Sequence, residues 1–271
     1  MIQIATPISH QFEDEKNAKE IISFSDCLEV RDGSVNSRWP KQHLFHSDTN
    51  LTDRWSDREH RYLENVFSLK KDLKLVSLQA ATCCENPALK GRMFHVNGKI
   101  YSRDEMVKNA KINIDWLRSV LREGVQIAVE NNNYYPTEAY NIITDGDFLT
   151  EIVDGNKIYF LFDIAHALVT VHNKQIFYDE YISTLPLKRT IQIHICKPEI
   201  PDDGIAYDAH DLPDDLMYEE VSELIKRYPV QYLTIEYYKD SKRLIEEIRR
   251  YKQLVMETDN WDLSIYLICL M

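Results

Sequence analysis

The sequence predicts an α/β protein folded as a single (β/α)₈ barrel over residues 1–271. Three observations point there. Strand-like and helix-like segments alternate along the chain, the mark of a mostly parallel sheet. Four apolar, strand-like runs, Val125–Glu130 (VQIAVE), Ile158–Asp163 (IYFLFD), Thr190–His194 (TIQIH) and Gln231–Glu236 (QYLTIE), each end on a residue able to bind a metal. Those ends lie 33, 31 and 42 residues apart, about the length of a strand, a helix and two loops. Seven glycines, nine prolines and no low-complexity stretch leave no linker to mark a domain boundary, and 44% hydrophobic residues suffice for a sizeable core.

The elements follow in order. Cys27–Val30 (CLEV) reads as the first strand because it ends in the turn signal Arg31-Asp32-Gly33. Gln42–His46 reads as the second, closed by the polar Ser47-Asp48-Thr49-Asn50. Residues 57–72 place Tyr62, Leu63, Val66, Phe67 and Leu69 at helical spacing, and Leu73–Leu78 is the third strand. Residues 103–123 form a longer helix with Met106, Val107, Ala110, Ile114, Leu117 and Leu121 on one stripe, leading into the fourth strand and Glu130. After the polar Asn131-Asn132-Asn133 and Pro136, a helix is expected near 145–154. The fifth, sixth and seventh strands end on Asp163, His194 and Glu236. Helices are expected over 214–227 and 241–257, the second with a solvated face of Glu246, Glu247, Arg249, Arg250 and Lys252. Leu263–Leu270 is the candidate for the eighth strand.

Composition excludes some functions. A formal charge of −12 and a pI near 5.2 argue against a general nucleic-acid surface, which is normally basic. No basic-then-apolar start suggests a secretory signal, and no apolar run is long enough to span a bilayer. Five cysteines lack a disulfide-framework spacing, which fits the reducing cytoplasm. The adjacent Cys83 and Cys84 read as small, semi-buried residues.

The chemistry lies at the strand ends. Asp163-Ile164-Ala165-His166 is a D-x-x-H step leaving a strand. Asp208-Ala209-His210 is a D-x-H step, in which extended backbone is expected to put both side chains on one side. Glu130, Asp163, His166, His194, Asp208, His210 and Glu236 make a mixed oxygen and nitrogen set without thiolate, suited to zinc, manganese or iron. Seven ligands exceed what one ion takes, so two or more ions sharing carboxylates are expected. Burying these four carboxylates without cations would cost several kcal/mol per uncompensated charge. His10, His43, His60, His95 and His172 read as structural, with a substrate-side role open for His172.

With these motifs in place, the chain resembles the xylose-isomerase-like TIM barrels. Within them it is most similar to the multinuclear iron-dependent oxidative enzymes typified by methanobactin biosynthesis protein B. The resemblance rests on Glu130-Asn131-Asn132, Asp163–His166, Tyr181–Pro186 (YISTLP), Thr190–His194, Asp208–His210 and Ile235-Glu236. It extends to Leu28-Glu29-Val30 on the first strand and to His46, which it adds to the metal ligands. It implies an enzyme with two or more ions, iron favoured over zinc or manganese, acting oxidatively on a peptide or small thiol. One ion would take dioxygen and another a substrate thiolate, and a partner protein would present the peptide. One departure stands out: the family's V-S-x-H reads here Val76-Ser77-Leu78-Gln79. Gln79 is a poorer ligand, which favours the alternative of a divalent-metal sugar isomerase or epimerase. In that chemistry Glu130 and Glu236 are the catalytic pair sharing an ion and shuttling a proton. An endonuclease-IV-type phosphodiesterase ranks lower, because a chain at −12 has no basic rim.

Overall fold

In the computed structural model, which describes the backbone of residues 1–268 and the side chains of 1–258, eight parallel strands close into a barrel. They are β1 (Gln3–Pro7), β2 (Cys27–Arg31), β3 (Gln42–Asn50), β4 (Leu75–Gln79), β5 (Gln126–Glu130), β6 (Tyr159–Asp163), β7 (Thr190–Ile195) and β8 (Tyr232–Ile235). Each strand pairs with its neighbours in sequence, and β1 closes the ring on β8 through Gln3 opposite Tyr232 and Ala5 opposite Thr234. The helices are α1 (Glu15–Phe24), α2 (Asp57–Leu69), α3 (Arg103–Val120), α4 (Gly146–Asn156), α5 (Ile164–Lys174), α6 (Tyr178–Thr184), α7 (Asp215–Arg227) and α8 (Ser241–Ile268). Between β2 and β3 the chain makes only a short 3-10 turn, Asp32–Ser34.

Seven of the eight barrel strands lie where the sequence predicts them. The eighth does not. Leu263–Ile268 continues α8, because no glycine or proline interrupts the chain from Ser241 onward, and Cys269 and Leu270 lie outside the described residues. The missing strand is β1, a five-residue segment whose partners include one more than two hundred residues away. Helices α1, α5 and α6 were also not anticipated; α1 starts where Asp14 accepts a hydrogen bond from the amide of Asn17 at 2.8 Å.

Strand alternation sorts the core into two parts. Residues such as Phe45, Val76, Val129, Phe162 and Ile193 face the helices in one large cluster. A second cluster takes one residue from each strand, the inward-facing Ala5, Cys27, Leu44, Leu75, Ala128, Leu161 and Tyr232 together with Ile191, which lies on the same face of β7 as Ile193. Two antiparallel hairpins leave the barrel, Ala88–Lys90 with Met93–His95 and Lys197–Glu199 with Tyr207–Asp211. Among the described residues, no helix is long and apolar enough to cross a membrane.

Candidate metal centre

Two residues beyond the inner apolar cluster, the same strands turn polar. Cys27 is followed on its face by Glu29 and Arg31, Leu44 by His46, and Leu75 by Ser77 and Gln79. Ala128 is followed by Glu130, Leu161 by Asp163, and Tyr232 by Thr234 and Glu236. His46, Glu130, Asp163, His166, His194 and Glu236 are all buried.

The structure gathers the eight predicted ligands into one cluster. His194 Nδ1 lies 2.9 Å from Glu130 Oε1 and 3.2 Å from Glu236 Oε1. His46 Nε2 lies 3.4 Å from Glu130 Oε2. His166 Nε2 lies 3.7 Å from both Asp163 Oδ2 and Asp208 Oδ2. His210 Nε2 lies 3.0 Å from Asp208 Oδ2 and 3.2 Å from Glu236 Oε2. Asp208 and His210 do share a side, but not through regular extended backbone: His210 has φ +45°. The amide of His210 donates to Asp208 Oδ1 at 3.2 Å, which holds that bend.

Each buried imidazole is pinned at its outer nitrogen. His194 Nε2 is 3.1 Å from Glu29 Oε2, an acceptor-only carboxylate that fixes the proton there and leaves Nδ1 facing inward. His166 Nδ1 donates to the Asn131 carbonyl at 2.7 Å and leaves Nε2 inward. His46 Nδ1 is 2.9 Å from Ser77 Oγ. The D-x-x-H step is a helix start: Asp163 caps α5 by accepting from the His166 amide at 2.8 Å, so strand end and first helical turn present both side chains together. Asn131 stitches the ends of β5 and β6, its side chain donating to the Asp163 carbonyl and accepting from the Asp163 amide.

Among the described residues, Glu130 Oε2 and Asp163 Oδ2 are buried without a hydrogen bond, while Glu130 Oε1 and Glu236 Oε1 meet only the ion-pair contacts of His194 and Arg31. Such groups are costly unless something positive completes them. The electrostatics register the same need. Burial opposes charge on His166, yet Asp163 and Glu130 raise it to about 10. Burial likewise opposes charge on His194, and Glu29 and Glu130 raise it to about 9. Burial would raise Glu130, but His46, His166 and His194 hold it down at about 2. Asp163 is lifted by burial to about 6, and His46 is pushed by burial down to about 3. Protons on His166 and His194 thus occupy the inner nitrogens that a metal would take. Among the described residues, four groups of donor atoms lie close enough to share an ion: Glu130, Asp163 and His166; His46, Glu130 and His194; Glu29, His194 and Glu236; Cys196, Asp208, His210 and Glu236. The residues present therefore fit divalent ions.

Several site residues escaped sequence reasoning. Glu29, wholly buried, was visible only as an acid flanked by Leu28 and Val30 in an apolar strand. Arg31 ends the same strand and pairs with Glu29 and Glu236. Gln192 donates to Glu29 Oε2 at 2.5 Å, and Cys196, left out of a thiolate-free set, stands 3.3 Å from Asp208 Oδ1. Gln79 does sit at the cluster, 3.4 Å from His46 Nε2. The cluster floors a cleft of about 670 Å³ whose walls include Arg92, Asn133, Tyr135 and Tyr207.

No curated protein is matched by the sequence. Among solved structures the chain is similar to an L-ribulose 3-epimerase, with 11% identity, 98% of each chain covered and a TM-score of 0.59. It is also similar to a D-psicose 3-epimerase solved with D-fructose, at 11% identity over 92% of this chain and 96% of that one, TM-score 0.57. A third is 3-keto-D-glucoside 4-epimerase from E. coli, at 12% identity over 93% of this chain and 98% of that one, TM-score 0.54. At these identities the likeness is one of fold, the (β/α)₈ barrel. The family model described as "RiPP precursor modification enzyme MbnB/TglH/ChrH" matches residues 99–256, more than half of the chain and most of the cluster. The chain belongs to the MbnB/TglH/ChrH family of RiPP precursor modification enzymes.

Proposed function

We propose that the chain is a metal-dependent enzyme that modifies a peptide substrate oxidatively, using two divalent ions, iron favoured, at the carboxyl ends of the barrel strands. One observation carries this reading. His46, His166 and His194 each spend one ring nitrogen on a protein partner and turn the other toward carboxylates. Glu130 Oε2 and Asp163 Oδ2 among those carboxylates are buried without a hydrogen bond among the described residues. Oxygen and nitrogen donors of this kind suit iron, with zinc and manganese as alternatives. Glu130 would bridge two positions, His46 and His194 on one side, Asp163 and His166 on the other, with Asp208, His210 and Glu236 completing the set. Iron held there would supply Lewis acidity and one-electron redox chemistry toward a substrate thiolate, with dioxygen as oxidant.

The protein's own contribution is orientation and exclusion. Glu29, Ser77 and the Asn131 carbonyl keep the three imidazoles in register, and the cleft above them admits a peptide side chain. The family's description supports a peptide as the substrate, and a separate protein that presents it is part of the reading. A second reading, isomerisation or epimerisation of a sugar, is favoured by the proximity of Glu130 and Glu236 to one nitrogen of His194. Two such carboxylates can share an ion and move a proton.

Elemental analysis of protein purified without added metal or chelator, with its ultraviolet–visible spectrum, tests the proposal. Two irons per chain with visible absorption are expected. Zinc or manganese alone, with no activity after iron loading and turnover of free sugars, would select the second reading. No metal even after reconstitution would sink both.

A further inference from the structure

The inner face of β2 reads apolar, acid, base: Cys27, Glu29, Arg31. Arg31 sits at the strand's end, where its amide donates to Ser34 Oγ at 2.9 Å and its carbonyl accepts from the same hydroxyl at 3.1 Å. The side chain turns inward from there and is only 24% exposed. Its Nη2 lies 2.6 Å from Glu29 Oε1 and touches Glu236 Oε1. Glu29 and Glu236 are the two carboxylates of one of the four potential metal groups, the one completed by His194. The guanidinium therefore lies where an ion bound by those carboxylates would be.

Charge leads to the same place. Glu29, Glu130, Asp163, Asp208 and Glu236 bring five carboxylates to the cluster against this one guanidinium. With all five ionised and the imidazoles neutral, as metal ligation requires, four negative charges remain, the charge of two divalent ions. A guanidinium stays charged at any ordinary pH, so a metal cannot displace it by releasing a proton. An ion placed between Glu29 and Glu236 would have to face it or expel it.

The geometry points to Arg31 as a built-in cation: its guanidinium holds the position between Glu29 and Glu236 and confines metal ions to the positions around Glu130 and Asp208. This rests on the two-ion metal reading above and removes the Glu29–Glu236 position from the four that donor geometry offers.

The test uses the full chain loaded with manganese(II), with ions counted by equilibrium dialysis and elemental analysis. Their positions come from anomalous scattering of manganese-loaded crystals. Wild type should bind two ions, with no anomalous peak between Glu29 and Glu236. Arg31→Met, which keeps bulk but removes charge, should bind one more, and Arg31→Lys should return to two. A wild-type peak bridging Glu29 and Glu236 would overturn the inference and leave the metal-dependent function standing. So would an Arg31→Met protein that binds only the wild-type number with wild-type affinity. Wild type without any ion, beside Arg31→Met with one between Glu29 and Glu236, would sink the proposed function and the confinement of ions to the other positions. Absence of metal from every variant would overturn both. If circular dichroism shows Arg31→Met unfolded, the wild-type anomalous map decides alone.

Discussion

Cys27, Leu44, Leu75, Ala128, Leu161 and Tyr232 fill one tier inside the barrel, and Glu29, His46, Ser77, Glu130, Asp163 and Thr234 fill the next tier along the same strands. Two residues, roughly 6.6 Å of strand, separate them. Leu161 and Asp163 are both fully buried, so exclusion from water does not distinguish the tiers. What differs is completeness. The apolar tier is stabilised by burial of its own surface and asks for nothing further. The polar tier holds buried carboxylate oxygens that lack a hydrogen bond among the described residues and imidazoles turned toward them, and it is complete only when cations join it. One tier supports the fold, and the other is held in place by it.

Breaking each tier should therefore have different signatures. Glu130→Ala is expected to have the largest effect. Both ions should be lost and turnover should fall by more than the roughly 10–100-fold typical of outer partners of a metal ligand. The metal-free variant should unfold at a lower temperature than metal-free wild type, because Glu130 is a partner that holds His166 and His194 charged. Elemental analysis and calorimetry check both halves; retained metal would refute the bridging role.

Leu161→Ala, one turn of the pleat below Asp163, should differ in what it leaves intact. It should cost about 2–5 kcal/mol in urea unfolding while leaving the number of bound ions unchanged. A changed ion count would show that the tiers are not separable. Glu29→Gln sharpens the comparison from within the polar tier. Losing the acceptor-only partner of His194 Nε2 should weaken metal binding about 10–100-fold by competition with a chelating dye, with little change in fold.

The pH response should be the gentlest. In metal-free protein His166 is raised to about 10 and His194 to about 9, both above the ordinary imidazole value of about 6.5. The stability these protonated groups contribute is complete below about pH 6.5 and is lost as pH rises through 9 to 10. Metal binding has to displace the same protons, so affinity should tighten between about pH 7 and 9, by up to tenfold per unit for each proton released. Pairing unfolding curves with metal titrations across that range tests it. Apo stability that stays flat to pH 10 would show that the two imidazoles are not held charged.

Much of this was legible because strands announce their ends. Glu130, Asp163, His194 and Glu236 each close an apolar run, and a barrel brings such ends to one face whatever the details of its helices. The D-x-x-H step was equally readable, since Asp163 is at once a strand end and a helix cap. Glu29 was harder to see: inside CLEVR it resembles any acid in a strand, and only the structure shows it reaching His194, 165 residues away. The D-x-H pair was found for the right outcome through the wrong backbone, because nothing in Ala209-His210 signals a left-handed residue. β1 was missed and Leu263–Leu270 chosen instead because local pattern cannot reveal which end of the chain closes the ring. That choice depends on pairing across the whole sequence, here Gln3 with Tyr232.

That closure has a consequence for how the protein comes to exist. β1 is made before every other barrel strand and β8 after them, and neither is fully paired until both are present. The polar tier draws on Glu29 from the start of the chain and Glu236 from near its end. A nascent chain that stops before β8 and Glu236 thus contains neither a closed ring nor the whole ligand set. The complete ligand set is accordingly assembled only after β8 is made, and contacts spanning so much sequence make that assembly slow relative to the formation of any single helix.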